Sequence, residues 1–418
     1  MFFRLALILL AVLQDGATQP DLELHPFQFS ARVAGATGAF PASAFPSWLA
    51  ADGSPAMVAT HFGEDEAFLE LCWFSGTTGA RAVAAGQGWF LNWADFPAAA
   101  GLADGTLLVA WLELEPAHPH SYGTRFLVLG QNEDDGNEDD DGEAGEGTDT
   151  KKRFEPRRLE EHRGPGEHGF VSLAPLDDEG FLALWLDGRA ADAHGAGETR
   201  VYARTVARDR TLGPETLVDA RACSCCPTAL VRLADGTHLA AWRDRSEEEV
   251  RDIALARFDG EHWSESELLH ADGWEIDGCP VNGPRLAANP ACVAATWYTG
   301  ADGSVRVSFG DERGRGFGVP IRVDDGSPEG RGDLAFLPDG SLLVGWMEHE
   351  PAQSSWRVRR VSPGGELGPS LVVAHVSSER SSGFLRMASD GGGVLLAYTE
   401  PGPPRRVAVQ RVKALTAR

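Results

Sequence analysis

The sequence predicts an all-β chain folded as a β-propeller of four-stranded blades. Three observations lead there. A strand–turn–strand pattern recurs along the chain, its copies end on an aromatic residue, and most copies lie about 50 residues apart, the length of one blade. The 49 glycines and 25 prolines are spread throughout, which suits many tight turns and few long helices.

The copies can be taken in order. A weak first one occupies 57–74 and ends near Trp73. The next reads AAGLADGTLLVAWLE at 99–113, around Trp111, and SLAPLDDEGFLALWLDGR follows at 172–189, around Trp185. The pattern returns at 228–245 (Trp242), 285–300 (Trp297), 334–348 (Trp346) and 385–400 (Tyr398). A third strand follows each hairpin, as at 200–204, 253–257 and 305–309, and a fourth precedes the next copy. The repeat count gives seven blades, with six also compatible because the first copy is weak. The last copy runs out after its third strand, near Val407 to Val412. A strand near Phe27 to Val33 is therefore expected to close the ring and remove the open edge.

Three regions flank or interrupt the repeats. Residues 1–18 read as a signal peptide: Arg4, an apolar run at 5–13 too short to span a bilayer, then small residues Gly16-Ala17-Thr18. Residues 19–44 form an N-terminal segment holding the closing strand, and 45–418 the propeller. Between Trp111 and Trp185 the spacing is too long, and the excess, at about 131–153, is an acidic stretch followed by Lys151-Lys152-Arg153. It reads as a solvated loop. A periplasmic or secreted protein is expected, soluble and monomeric, with no membrane span. The net charge of -25 excludes nucleic acid, whose phosphates need a basic footprint.

Topology then predicts where function lies. In an antiparallel blade, strand one starts and strand two ends on the same face, next to the axis. The segments entering strand one carry Asp95, Glu167-His168, Cys223-Ser224-Cys225-Cys226, Cys279-Pro280-Val281-Asn282 and Arg331. Those leaving strand two carry Asp187-Gly188-Arg189, Arg243-Asp244-Arg245, Tyr298 and Glu348-His349-Glu350. Acids, arginines, a tyrosine, a histidine and thiols thus gather around one central mouth. The cysteines admit two readings. Cys226 and Cys279 occupy equivalent places in successive blades and suit a cross-blade disulfide. Alternatively Cys223, Cys225, Cys226 and Cys279 hold a soft metal, Cu or Zn, because thiolates suit both. No cofactor is required by the fold.

Several of these stretches resemble exported bacterial proteins of the sialidase-like (BNR/Asp-box) propeller group. They are Asn92-Trp93-Ala94-Asp95-Phe96-Pro97, Glu167-His168-Gly169-Phe170, Trp185-Leu186-Asp187-Gly188-Arg189, the Cys-x-Cys-Cys element at 223–226, Arg243-Asp244-Arg245-Ser246, and 272–284 around Cys279. The resemblance implies a glycosidase that takes a sialic acid-like sugar or another small acidic ligand. Arginines would grip the carboxylate, for which Arg189, Arg243, Arg245, Arg331 and Arg386 are the candidates beside Asn282 and His168. Tyr298 would be the nucleophile, Glu167 or Glu348 its activator, and Asp95, Asp187 or Asp244 the acid. Two other functions stay open: a non-catalytic binding propeller of the cell envelope, and a metal-binding propeller using the cysteines.

Overall fold

A computed structural model describes residues 22–26, 47–51, 54–62, 67–73, 79–118, 121–130, 155–177, 179–191, 197–400 and 406–414. The expected signal peptide at 1–18, the expected closing strand at Phe27 to Val33 and the acidic stretch beyond residue 130 lie outside the described residues.

The described residues form seven four-stranded antiparallel sheets, each numbered here as a blade from its innermost strand outward. Blade 1 is Ser47–Ala51, Ser54–Phe62, Ala67–Trp73 and Gly79–Gly86. Blade 2 is Ala98–Gly101, Leu107–Leu114, Tyr122–Leu129 and Arg157–Arg158. Blade 3 is His168–Leu176, Gly180–Ala191, Gly197–Ala207 and Thr216–Ala222. Blade 4 is Ala229–Arg232, His238–Arg243, Ile253–Phe258 and Glu267–His270. Blade 5 is Arg285–Ala288, Val293–Thr299, Ser304–Gly310 and Ile321–Arg322. Blade 6 is Pro328–Phe336, Leu342–His349, Ser354–Val361 and Leu367–Val376.

Blade 7 is composite. Arg386–Ser389, Val394–Glu400 and Arg406–Ala414 supply its inner three strands, and Leu22–Pro26 pairs antiparallel with Arg406–Ala414 as the fourth. The closing strand thus comes from the N-terminal segment, but five residues earlier than its expected start at Phe27. The innermost strands touch their neighbours in sequence, and those of blades 7 and 1 touch each other, so the ring closes.

The core lies between blades. Each hydrophobic cluster joins one blade to the next, as Leu184, Leu186 and Val201 of blade 3 do with Ala240, Trp242 and Ala254 of blade 4. A blade is apolar on both faces and can only satisfy them by stacking. The inner hairpins turn through Asp-Gly: Asp104, Asp235 and Asp339 each accept a backbone N–H two residues on, at 3.0, 3.1 and 2.9 Å. The glycine between adopts a left-handed φ of +82°, +86° and +82°, which only glycine adopts without penalty.

The aromatic that ends strand two has a repeated job. Its indole N–H donates to a carboxylate: Trp111 to Glu113 (3.2 Å), Trp185 to Asp187 (2.9 Å) and Trp346 to Glu348 (2.6 Å) within one strand. Trp242 reaches back to Asp219 of blade 3 (3.0 Å), and Trp297 to Asp272 behind blade 4 (2.6 Å). Residues i and i+2 share a strand face, so the first kind is built into the strand's period. Glu348 also accepts from the N–H groups of Ser327 (2.6 Å) and Asp325 (3.3 Å), locking the blade 5–6 connection. It is a structural acid.

Replacing Glu348 by Ala leaves a buried indole N–H and two backbone donors unpaired. Glu348→Ala is expected to lower unfolding free energy by about 3 kcal/mol or more, and Glu348→Gln by distinctly less, because an amide oxygen still accepts. Urea unfolding with unchanged m reads this directly; equal losses in the two variants would contradict the assignment.

Candidate functional site

Contacts link much of the face where strand one begins. Asp95 accepts the Phe170 N–H at 2.7 Å. Cys223 N–H donates to the Arg243 carbonyl at 2.9 Å. Arg243 Nε donates to the Asn282 carbonyl at 2.8 Å, Asn282 Oδ1 accepts the Arg331 N–H at 2.8 Å, and the Arg331 guanidinium lies 5.0 Å from the Trp93 ring centroid, two residues from Asp95. Trp93 and Phe96 from blade 2 pack on Phe384 from blade 7, at 5.9 and 5.5 Å between centroids. These aromatics fill the middle of the predicted mouth.

The backbone is strained on this face. Phe170, Glu249, Val281 and Arg331 have φ of +53°, +62°, +48° and +55°, where non-glycine residues cost of order 1–3 kcal/mol. Register shifts at Gly169/Ser172 and Gly330/Asp333 put a bulge in the innermost strands of blades 3 and 6. Bulges re-aim side chains. Here the first turns the Phe170 N–H onto Asp95. Gly169 is required beside it, because a β-carbon would collide with the Asp95 carboxylate.

Most of the expected substrate-gripping arginines are committed internally. Arg243, 1% exposed, donates to three backbone carbonyls: Asn282, Arg251 (2.5 Å) and Tyr298 (2.7 Å). Arg189 forks onto Asp187, Nε to Oδ1 and Nη2 to Oδ2 at 2.7 Å each, and its Nη1 takes Glu215. Arg245 is bidentate on Glu249, and Arg331 donates to the Ser378 and Glu379 carbonyls. Asn282 staples loops through Arg331 and the Glu329 carbonyl. These side chains hold the face together, and an expected role in gripping a carboxylate gives way to that.

Two of the expected catalytic residues also change role. Burial would raise the Asp187 carboxyl, but hydrogen bonds from Arg189, with His168 close by, outweigh it and keep the group well below the usual carboxylate range. A carboxylate so held by donors is ill suited to giving a proton near neutral pH. Tyr298 sits edge-on to Trp274 at 5.5 Å beside Arg243. Its hydroxyl is raised by burial, against the Arg243 charge, and Glu167 is not its neighbour.

The tyrosine at Glu167 is Tyr122. It opens strand three of blade 2, is 5% exposed, and forms a parallel bridge to Glu167. Its hydroxyl and the Glu167 carboxylate lie close enough to shift each other's proton affinity, with Asp95 beside them. Burial raises Tyr122 well above its usual value, and the charges of Asp95 and Glu167 add to this. Burial also raises Glu167. Asp95 is pushed up to about 7 by burial, the Phe170 N–H opposing and Glu167 reinforcing. Tyr122 escaped the sequence reading because that reading used only strands one and two. Third strands begin on the same face, one step further from the axis.

His168 is buried behind this group. Its Nδ1 lies 3.1 Å from Asp187 Oδ2, and its Nε2 has no hydrogen-bond partner among the described residues. Glu160, buried nearby, is raised to about 7 by burial, with His168 and Arg158 opposing.

On the other side of Cys225 the thiols gather. Sγ of Cys223 lies 3.1 Å from Cys226 and 3.7 Å from Cys225, and Arg251 Nη1 donates to Cys223 at 3.4 Å. Hydrogen bonds from Cys225 and then Cys226 hold the Cys223 thiol down, while the other two are driven up. Cys279 is exposed and outside this cluster. Cys223, Cys225, Cys226, Cys279 and Cys292 are all free thiols, so the expected Cys226–Cys279 bridge is not formed.

Asp95 and Glu160 make stability depend on pH. Both keep a proton in the fold up to about pH 7 that the unfolded chain releases near 4. The native state binds more protons in that window, so unfolding free energy falls as pH rises through it. Asp95→Asn is expected to flatten the fall by roughly 3 kcal/mol, and adding Glu160→Gln to flatten it further. Unfolding curves from pH 4 to 8 check this; superimposable profiles would remove Asp95 from the account.

No family model matches the chain. No curated protein matches it either. Among solved structures it is similar to a protein of unknown function from Dyadobacter fermentans, at 16% identity over 95% of this chain and 100% of that one, with a TM-score of 0.52. It is also similar to the polysaccharide lyase Uly1, at 12% identity over 93% and 94%, TM-score 0.50. A third likeness is the β-propeller domain of the Trilobed protease from Pyrococcus furiosus, at 11% identity over 91% and 99%, TM-score 0.47. At such identities the likeness concerns the propeller fold alone and does not show a sialidase family.

Proposed function

We propose that this is an exported, carbohydrate-active propeller working by acid–base chemistry at Tyr122, Glu167 and Asp95. One observation carries the reading: a buried tyrosine bridges to an exposed glutamate, and a buried aspartic acid pushed up to about 7 lies beside both. Breaking a glycosidic bond needs a proton donor and a proton acceptor or nucleophile close together. Asp95 retains a proton to give near neutral pH, and Glu167 takes the Tyr122 proton. The finer reading, a glycoside hydrolase for a sialic acid-like sugar, keeps the tyrosine–glutamate pair but with Tyr122 in place of Tyr298. The polysaccharide lyase among the structural neighbours gives the same carbohydrate direction by fold alone. Export rests on the apolar run at 5–13.

Purified protein should be offered fluorogenic sialosides, uronides and neutral glycosides, and uronic acid polysaccharides. Turnover of one class is expected, falling at least about 100-fold in Tyr122→Phe and Glu167→Gln while Tyr298→Phe keeps it. Turnover that survives both substitutions, or none on any class, would refute the reading.

A second reading rests on the thiols. Cys223, Cys225 and Cys226 present three sulfurs within 4.8 Å of one another, partly or wholly buried, with Arg251 to offset thiolate charge. An all-thiol set fits a soft metal, Cu(I) or Zn, which bound there would supply a Lewis acid or redox centre beside Tyr122. Elemental analysis of protein loaded with Zn or Cu(I) and then desalted should find one equivalent, lost in Cys223→Ser and Cys225→Ser and retained in Cys279→Ser. Binding that ignores these substitutions would dismiss the cluster.

A further inference from the structure

Cys223, Ser224, Cys225 and Cys226 lie in the connection from the outermost strand of blade 3 to the innermost strand of blade 4. The chain turns through Ser224 and Cys225. A four-residue turn brings its first and last α-carbons within about 7 Å, close to the span of a disulfide. Here those ends are Cys223 and Cys226. Their sulfurs lie 3.1 Å apart, about 1 Å beyond a covalent S–S bond.

Both ends of the turn are anchored. The Cys223 N–H donates to the Arg243 carbonyl at 2.9 Å, and Ala222 before it bridges to Asp244. After Cys226, the Pro227 backbone packs on Gly283 so closely that a β-carbon there would collide with it. Thr228 Oγ1 donates to the Phe170 carbonyl at 2.7 Å. Thiols held this way have little conformational freedom left to lose on bridging.

The three sulfurs differ in access. Cys223 and Cys226 are 0% and 1% exposed, whereas Cys225 is half-buried. A reagent from solvent therefore meets Cys225 first, and Cys223, 3.7 Å from it, is the next sulfur inward. Arg251 Nη1 donates to Cys223 at 3.4 Å, where its charge stabilises that sulfur as it attacks or leaves. Buried cysteines are ordinarily inert, but here an accessible third thiol touches the buried pair.

We propose that Cys223 and Cys226 form a reversible dithiol–disulfide redox centre that exchanges two electrons with external disulfides and thiols through Cys225. In the oxidising direction the co-reactant is a low-molecular-weight disulfide, R–S–S–R. The Cys225 sulfur attacks it, forming a mixed disulfide, and one R–SH leaves with the Cys225 proton. Cys223 attacks the Cys225 sulfur, and the second R–SH leaves with the Cys223 proton. Cys226 then attacks the Cys223 sulfur and returns Cys225 as a thiol, its own proton passing to Cys225. In sum, two protein thiols and R–S–S–R become one protein disulfide and two R–SH. The centre is separate from the acid–base reading at Tyr122. It shares sulfurs with the metal reading without resting on it, because a bridge uses two of the three ligands.

The test uses the whole chain, reduced, with a chelator present throughout, so the outcome is independent of the metal reading. It is equilibrated without oxygen against mixtures of reduced and oxidised glutathione, then acid-quenched, alkylated and digested with trypsin. The tryptic peptide 222–232 carries all three cysteines. As the mixture becomes more oxidising, it is expected to pass from three alkylated thiols to one, with a two-electron midpoint. Fragmentation should place the remaining label on Cys225. Cys225→Ser should reach the same bridge at least about 10-fold more slowly, and Cys279→Ser at the wild-type rate. The proposal is overturned if the peptide keeps three alkylated thiols in every mixture or carries only glutathione adducts. It is equally overturned if the bridge involves Cys225, or if Cys225→Ser oxidises as fast as wild type.

Discussion

The bond between a strand-two indole and a carboxylate organises much of this molecule. It recurs in blades 2 to 6, and it fixes the end of strand two, where the functional face begins. In blades 4 and 5 the carboxylate comes from the preceding blade, so the same bond sets blade against blade. A hydrogen bond to a buried charged acceptor is worth about 1.5–3 kcal/mol, more than most neutral ones. Such a bond also consumes the acid. Asp187 and Glu348 lie at strand ends on the functional face, yet both are spent on indoles and backbone or arginine donors.

That economy separates the acids that hold the ring from those that keep a proton. Asp187 is surrounded by donors and stays ionised. Asp95 receives one backbone N–H, is buried beside Glu167, and keeps its proton toward neutral pH. The difference is one of coordination, not of residue type or strand position. The arginines divide the same way. Arg243 and Arg331 meet carbonyls turned toward them by strained loops, whereas Arg285 and Arg386 line a small cavity on the ring axis.

This is also where reading the sequence stops. Period-two alternation, Asp-Gly turns and recurring tryptophans depend on neighbours in the chain, so blades, hairpins and the functional face were legible. The closing strand was legible in kind, though its placement at Leu22–Pro26 depends on register against Arg406–Ala414. Whether Arg243 is free depends on carbonyls 8, 39 and 55 residues away. No local pattern encodes those distances. Tyr122 was hidden for a related reason: its link to Glu167 crosses from blade 2 to blade 3.

Asp95 then ties together features that otherwise look separate. Its carboxyl faces the tyrosine–glutamate pair on one side and lines the axial cavity on the other. The cause of its raised proton affinity is burial, reinforced by Glu167. A proton on Asp95 removes one negative charge from beside Glu167 and from the wall that Arg285 and Arg386 share. Charge in the axis and acidity at the face are therefore coupled through a single carboxyl, and the strained Phe170 backbone, whose N–H donates to it, opposes the lean toward neutrality that burial imposes.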